Sequence, residues 1–171
     1  PIVYMSLSDY QLKRIESFIG ANDNSDSAYQ VQQSIIAIGS GGLTGKKVEE
    51  ATQAQLKFLP VPESDFIFAY FCERYGFFGG FVLLFLYGVL ILQLFSLSYQ
   101  YRKDKILQVL AASVGFLIFI HLSVNVLMVM KLAPVVGIPL PFFSYGGSSF
   151  LTFGILFAVV ENLLAFKYDF R

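Results

Sequence analysis

Residues 77–97 read FFGGFVLLFLYGVLILQLFSL, a run without one charged side chain and with its apolar core in Phe77–Leu92. A helix needs about 20 mostly apolar residues to cross roughly 30 Å of hydrocarbon, and this run supplies them. Its start has two readings, at Phe66 or at Gly76, and it ends near Leu97. Two more stretches are as apolar, Ile106–Met130 and about Ser148–Phe166. None of the three has the broad polar face of a soluble helix, so lipid or other spans must surround them.

The composition agrees. Hydrophobic residues make up 56% of the chain and charged residues 14%, against about 25% charged in soluble domains. The formal net charge is zero, which gives neither a nucleic-acid footprint nor an acidic tail. The single cysteine, Cys72, cannot form an internal disulfide, and no Cys/His spacing suggests zinc. The chain opens at Pro1 inside an apolar Pro1–Met5, without a Met start or a signal peptide, so it reads as the C-terminal part of a longer protein.

The expected organisation is all-α and membrane-spanning. Residues 1–65 form the end of a preceding span and a large loop, and 66–98 form a transmembrane helix. Residues 99–105 form a short loop and 106–130 a second transmembrane helix. Residues 131–147 form a Pro/Gly loop, and 148–171 a third transmembrane helix with its tail. Arg102, Lys103 and Lys105 crowd the short loop, which places it in the cytoplasm by the positive-inside rule. The tail carries Lys167 and Arg171 and falls on the same side. The large loop and the Pro/Gly loop are then extracytoplasmic. Within the large loop, Ser17–Ser27 reads as a turn-forming linker and Tyr29–Ile38 as a short helix against the membrane surface.

Several polar residues invite chemistry. The stretch Gly39–Gly45 (GSGGLTG) fails as a phosphate loop, because Ser40 stands where the first Walker glycine belongs and Lys47 replaces the Ser/Thr. It remains either a tight turn needing positive φ or, with Lys46 and Lys47, a contact for a lipid-linked pyrophosphate. Asp65 lies at the seam between the large loop and the first span. A carboxylate there is partly desolvated and suited to general-base work, while Ser64 or Asp65 also suits a helix N-cap. Glu73 and Arg74 pair with each other or snorkel to headgroups. His121 and Asn125, at i and i+4, share a face and are expected to bond to a neighbouring helix. Glu161 sits toward the other end and snorkels. The segment Ala133–Ser149 (APVVGIPLPFFSYGGSS) has too many helix breakers for a helix and is too apolar for a free loop. Irregular backbone at membrane depth must be buried in protein or line a cavity, so this is a re-entrant-like loop on the same side as Asp65.

These segments together carry a resemblance. Tyr29–Gly45, then Thr52–Pro60 (TQAQLKFLP) and Glu63–Phe68 (ESDFIF), resemble the large extracytoplasmic loop of the SEDS family (shape, elongation, division and sporulation). Val124-Asn125, Pro134–Pro141 (PVVGIPLP) and Ser144–Ser149 (SYGGSS) match its C-terminal signature. Thr-Gln-x-Gln-Leu and Pro-Val-Val-Gly are similar to the elongation branch, RodA, more than to the division branch, FtsW. Lys47, Glu63-Ser64 and Glu73-Arg74 depart from the family's pattern.

The resemblance implies a bundle of about ten spans, of which this chain holds the last three and by itself would be inactive. It implies a bacterial plasma-membrane enzyme that polymerises lipid II into β-1,4 glycan strands during cell elongation. Its implied partners are lipid II, the growing glycan strand, a class B penicillin-binding protein and other membrane proteins of the elongation complex, with no nucleic acid. Asp65 aligns with the family's essential loop aspartate. Lys46, Lys47, Gln53, Glu63, Ser144, Tyr145, Gly146 and Gly147 are the candidate substrate-binding residues. The donor sugar is α-linked and the product β-linked, so one inversion suffices without a covalent nucleophile. Asp65 is the candidate base. The countercharge for pyrophosphate stays open between Lys46/Lys47 and a divalent cation, magnesium or manganese, which Asp65 would help hold. A division paralogue, a lipid II transporter and a non-catalytic scaffold are the rival readings. A transporter needs polar groups at the midplane, and here they cluster toward one face.

Overall fold

The computed structural model describes residues 26–46 and 65–169, together with Phe18. All regular structure among them is helical: α1 (Asp26–Ser40), α2 (Ile67–Gln100), α3 (Lys105–Val129) and α4 (Gly147–Asp169). The last three are long and apolar enough to cross a membrane, and the chain is an all-α integral membrane protein.

The helix α2 is not one rod. Gly76 has φ 68° and ψ −168° in its middle, a conformation open essentially only to glycine. The chain folds back there. A Cβ built on Gly80 would stand 3.8 Å from the ring of Phe68 and 2.8 Å from the Cys72 sulfur. In a straight helix, residues 68 and 80 would lie about 18 Å apart along the axis. The glycines in Tyr75-Gly76-Phe77-Phe78-Gly79-Gly80 thus let residues 67–75 lie against the start of the long segment. Both starting points read from the sequence therefore exist. A short helix begins after Phe66, and the spanning segment begins after Gly76.

The break leaves amides that need acceptors. They find them in the turn after α1, where Gly42 O accepts from Phe77 N (2.8 Å) and Leu43 O from Phe78 N (3.2 Å). The two backbones cross so closely that a Cβ on Gly41 would lie 2.2 Å from Cys72 O, and one on Gly45 2.1 Å from Arg74 O. On α1 the buried positions Val31, Ser34 and Ala37 lead into Gly41 at helical spacing. Ser34 donates from its hydroxyl to Val129 O (2.9 Å), fixing α1 to the end of α3. The helix expected on the membrane surface is thus docked onto the spans.

Antiparallel pairing of α2 and α3 forms the main core. Leu83, Tyr87, Ile91 and Leu94 face Leu107, Ala111, Val114 and Ile118. Asp104 caps α3 by accepting from Ile106 N (3.2 Å) and Leu107 N (3.3 Å). Ser98 donates to Gln108 O (2.9 Å), and a Cβ on Gly115 would touch Leu94 Cβ at 3.2 Å. This register sets Tyr87 level with His121. The fourth helix is packed less, with 11% of its apolar stretch buried. Its contacts include Phe142 of the preceding loop, whose ring meets Phe150, Phe153 and Phe157.

Candidate active-site loop and the Asp65 turn

No helix forms between Val129 and Gly147, as the prolines and glycines there dictate. Gly137 takes φ 74°, and Lys131 and Phe142 also take positive φ, at 60° and 63°. The loop is nevertheless well anchored, because three polar side chains of the spanning helices reach its carbonyls. Asn125 Nδ2 donates to Ile138 O (2.7 Å). His121 Nδ1 lies 3.3 Å from Pro139 O. The Tyr87 hydroxyl donates to Pro141 O. Tyr87 lies eleven residues past Gly76 on α2, about 16 Å at the usual helical rise. The loop therefore dips into the bundle beside the spans, with Leu140 fully buried.

The same Asn125 nitrogen also donates to Asp65 O (2.9 Å). One amide thus ties the turn that opens α2 to the middle of the Pro/Gly loop. The sequence expectation for His121 and Asn125 is corrected here: their bonds go to irregular backbone rather than to a neighbouring helix. Proline supplies no amide, and a loop at this depth has no ladder, so its carbonyls need donors from elsewhere. Asn125 is fully buried, and its Oδ1 has no hydrogen-bond partner among the described residues. An unmet buried acceptor costs about 1–3 kcal/mol, so its two-donor nitrogen is what the site keeps.

Asp65 itself is half-buried. Phe66, not Asp65, occupies the N-cap of α2, and its side chain makes no cap hydrogen bond; the Ser64 alternative lies outside the described residues. Glu73 does not snorkel. It is 1% exposed on the folded-back segment, and Arg74 lies 5.9 Å from the Tyr75 ring centroid. Burial follows from the break at Gly76, which presses this segment onto α1's turn.

The other candidates separate by environment. Ser144 is buried, and its hydroxyl accepts from Leu140 N (2.8 Å), closing the loop's own turn. Tyr145 is 82% exposed. A Cβ on Gly147 would meet nothing within 4 Å, and one on Gly146 only the Ser149 side chain, with Oγ at 3.2 Å. Close approach within this chain is needed at Gly41, Gly45 and Gly76 instead. Gly42 and Gly45 have φ of 57° and 84°, which gives the glycine-rich stretch its tight-turn role. The amides of Gly41, Gly45 and Lys46 donate to Ala37 O, Gly41 O and Glu73 O, so they form no open anion cradle. Lys46 is half-buried. Lys47, Gln53 and Glu63 lie outside the described residues, as do Ser64 and Arg171. Among the described residues no three His, Cys, Asp or Glu side chains gather to hold a metal ion.

Sequence reasoning missed Tyr87 and the double bond set of Asn125. A lone Tyr in the purely apolar run and an Asn four residues after a His were the available signals. Nothing in the sequence named the carbonyls they meet.

Known proteins match this chain closely. The family described as "Cell cycle protein", covering FtsW, RodA and SpoVE, matches residues 1–169. Peptidoglycan glycosyltransferase MrdB of Helicobacter pylori strain J99 is 55% identical over 99% of this chain and 44% of its own length. MrdB of Escherichia coli K12 is 38% identical over 95% of this chain and 44% of its own length. Peptidoglycan glycosyltransferase RodA of Treponema pallidum is 40% identical over 85% and 34%. The chain therefore spans less than half the length of these curated relatives. A solved structure described as "Structural coordination of polymerization and crosslinking by a peptidoglycan synthase complex" shares the fold. Its TM-score is 0.67 at 24% identity, over 92% of this chain and 42% of that one. With the sequence signatures, the re-entrant loop and these matches together, the chain belongs to the FtsW/RodA/SpoVE family, the SEDS proteins.

Proposed function

We propose that the whole protein is a peptidoglycan glycosyltransferase of cell elongation. It polymerises lipid II into β-1,4 glycan strands at the extracytoplasmic face of a bacterial plasma membrane. The observation that carries the reading is the bond pair of Asn125, which joins the Asp65 turn to the Pro/Gly loop. The backbone of Asp65 and the Pro/Gly loop are tied together through Asn125, which supports a site at that end of the spans, where a lipid-linked sugar pyrophosphate would present its reacting bond. The names of the MrdB and RodA relatives support the same activity.

In this mechanism Asp65 takes the proton of the acceptor hydroxyl as that oxygen attacks the anomeric carbon of the donor. The bond to pyrophosphate breaks on the opposite face, and one inversion converts α to β. Positive charge must meet the departing pyrophosphate. Lys46 and Lys47 are the chain's candidates. A divalent cation, magnesium or manganese, would supply the same charge. Asp65 suits such an ion as a single carboxylate, because magnesium usually keeps waters and substrate phosphates and takes only one or two carboxylates. A class B penicillin-binding protein, which crosslinks the strands, is the proposed partner, within a larger elongation complex.

The test is glycan polymerisation by purified full-length protein carrying Asp65→Asn, with abundance and partner binding measured in parallel. Losing a general base costs about 10²–10⁴-fold in rate. Added divalent cation restores part of the rate if the carboxylate also holds metal. Wild-type turnover by this variant would remove Asp65 from the chemistry.

A further inference from the structure

Asn125 is the point at which α3, the turn before α2 and the Pro/Gly loop meet. Its Nδ2 donates one hydrogen bond to Asp65 O at 2.9 Å and one to Ile138 O at 2.7 Å. A primary amide nitrogen has two hydrogens and can serve both carbonyls at once. A carboxylate of the same shape would turn acceptors toward both oxygens, and a leucine would leave both without this donor. The side chain is fully buried, so its rotamer is fixed by packing. Its Oδ1 has no hydrogen-bond partner among the described residues, so the nitrogen makes the bonds that tie the two segments. His121, one turn earlier on the same face, is the natural comparison. It reaches Pro139 O of the same loop, and its ring packs edge-on against Phe153 of α4.

We propose that Asn125 is a positioning residue for Asp65, holding the carboxylate of the base at a fixed distance from the loop that lines the substrate cavity. The proposal rests on the reading of Asp65 as the base. Asn125 touches neither reacting atom. It acts by fixing the backbone of Asp65, from which the carboxylate projects, relative to Ile138. A shift of the base by about 1 Å lowers the rate on the order of 10²-fold without removing any binding group.

The experiment compares Asn125→Ala and His121→Leu in the full-length protein, each also in an Asp65→Asn background, with kcat and KM for lipid II and thermal unfolding recorded for every variant. Asn125→Ala is expected to lower kcat about 10²-fold with KM little changed. His121→Leu, which removes the contacts to Pro139 O and the Phe153 ring but leaves both Asn125 bonds in place, is expected to lower it far less at a similar loss of melting temperature. In the Asp65→Asn background, Asn125→Ala should add little, because the group it positions is gone. Where Asn125→Ala does not accumulate, Asn125→Ser keeps one donor and should fall between wild type and Ala. The proposal is overturned if Asn125→Ala costs no more than His121→Leu, or if its effect multiplies fully with Asp65→Asn. Failure of the base itself reads differently: Asp65→Asn alone would then turn over normally.

Discussion

Replacing Gly76 with Ala tests the fold-back that sets the whole loop end of the molecule. Its φ of 68° and ψ of −168° lie in a region that costs a residue with a Cβ about 1–3 kcal/mol. The added carbon would stand 2.3 Å from Gly45 N and 2.5 Å from Leu43 O. Both are backbone atoms, so no rotamer change relieves the contact, and the glycine turn must withdraw. Withdrawal breaks the bonds from Phe77 N (2.8 Å) and Phe78 N (3.2 Å) to that turn, each worth about 0.5–1.5 kcal/mol net. The expected destabilisation is about 2–6 kcal/mol, at the upper end for a single substitution. Gly88→Ala is the control. It lies on the same helix with nothing within 4 Å of its Cβ position, and there Ala should gain about 0.5–1 kcal/mol. Thermal unfolding of the full-length protein in detergent reads the difference. Hydrogen exchange at Phe77 and Phe78 locates it, since those amides should lose protection. Equal melting temperatures for the two variants, with Phe77 and Phe78 still protected, would refute the fold-back.

Two other outcomes follow from the same geometry and from the proposed orientation. Gly146→Val should leave insertion, melting and partner binding near wild type, because a Cβ there meets only the Ser149 side chain, with Oγ at 3.2 Å; polymerisation should nevertheless be lost if substrate passes over this part of the loop, and normal polymerisation would make the loop a connector. A reporter active only in the cytoplasm should work when fused near Lys103 and stay silent near Ser25; the reverse pattern would put Asp65 on the wrong side of the membrane for lipid-linked substrate.

The three spans were legible because a membrane imposes a length and a polarity that any sequence must state openly, as residues 77–97 do. The double start of the first span was legible as an ambiguity. Its resolution depended on Gly41, Gly45 and Gly76 meeting across the chain, and one sequence gives no sign that distant glycines share a crossing. Glu73 shows the limit from another side. A charged residue near a span end ordinarily snorkels, yet the fold-back turns this one inward to 1% exposure. The irregular loop was legible from its prolines and glycines, and its burial from its apolar character. Its partners were not, because carbonyl acceptors leave no mark in a sequence.

Hydrogen-bond accounting explains why those partners had to lie in the spans. Non-helical backbone beside lipid-depth helices survives only if its polar groups are satisfied by protein. Ile138, Pro139 and Pro141 present carbonyls at that depth, and Asn125, His121 and Tyr87 answer them. The turn from Leu140 to Ser144 closes on itself through the Ser144 hydroxyl and the Leu140 carbonyl. Polar residues inside these helices therefore act first as a scaffold for the loop. Ser144 belongs with that scaffold, whereas Tyr145, at 82% exposure, is not enclosed by it. Within the proposed function, substitutions at Tyr87 or His121 should act on activity through loop order and so lower melting and rate together. Substitution at Tyr145 should leave melting alone and change only the rate, which separates the loop's support from its working surface.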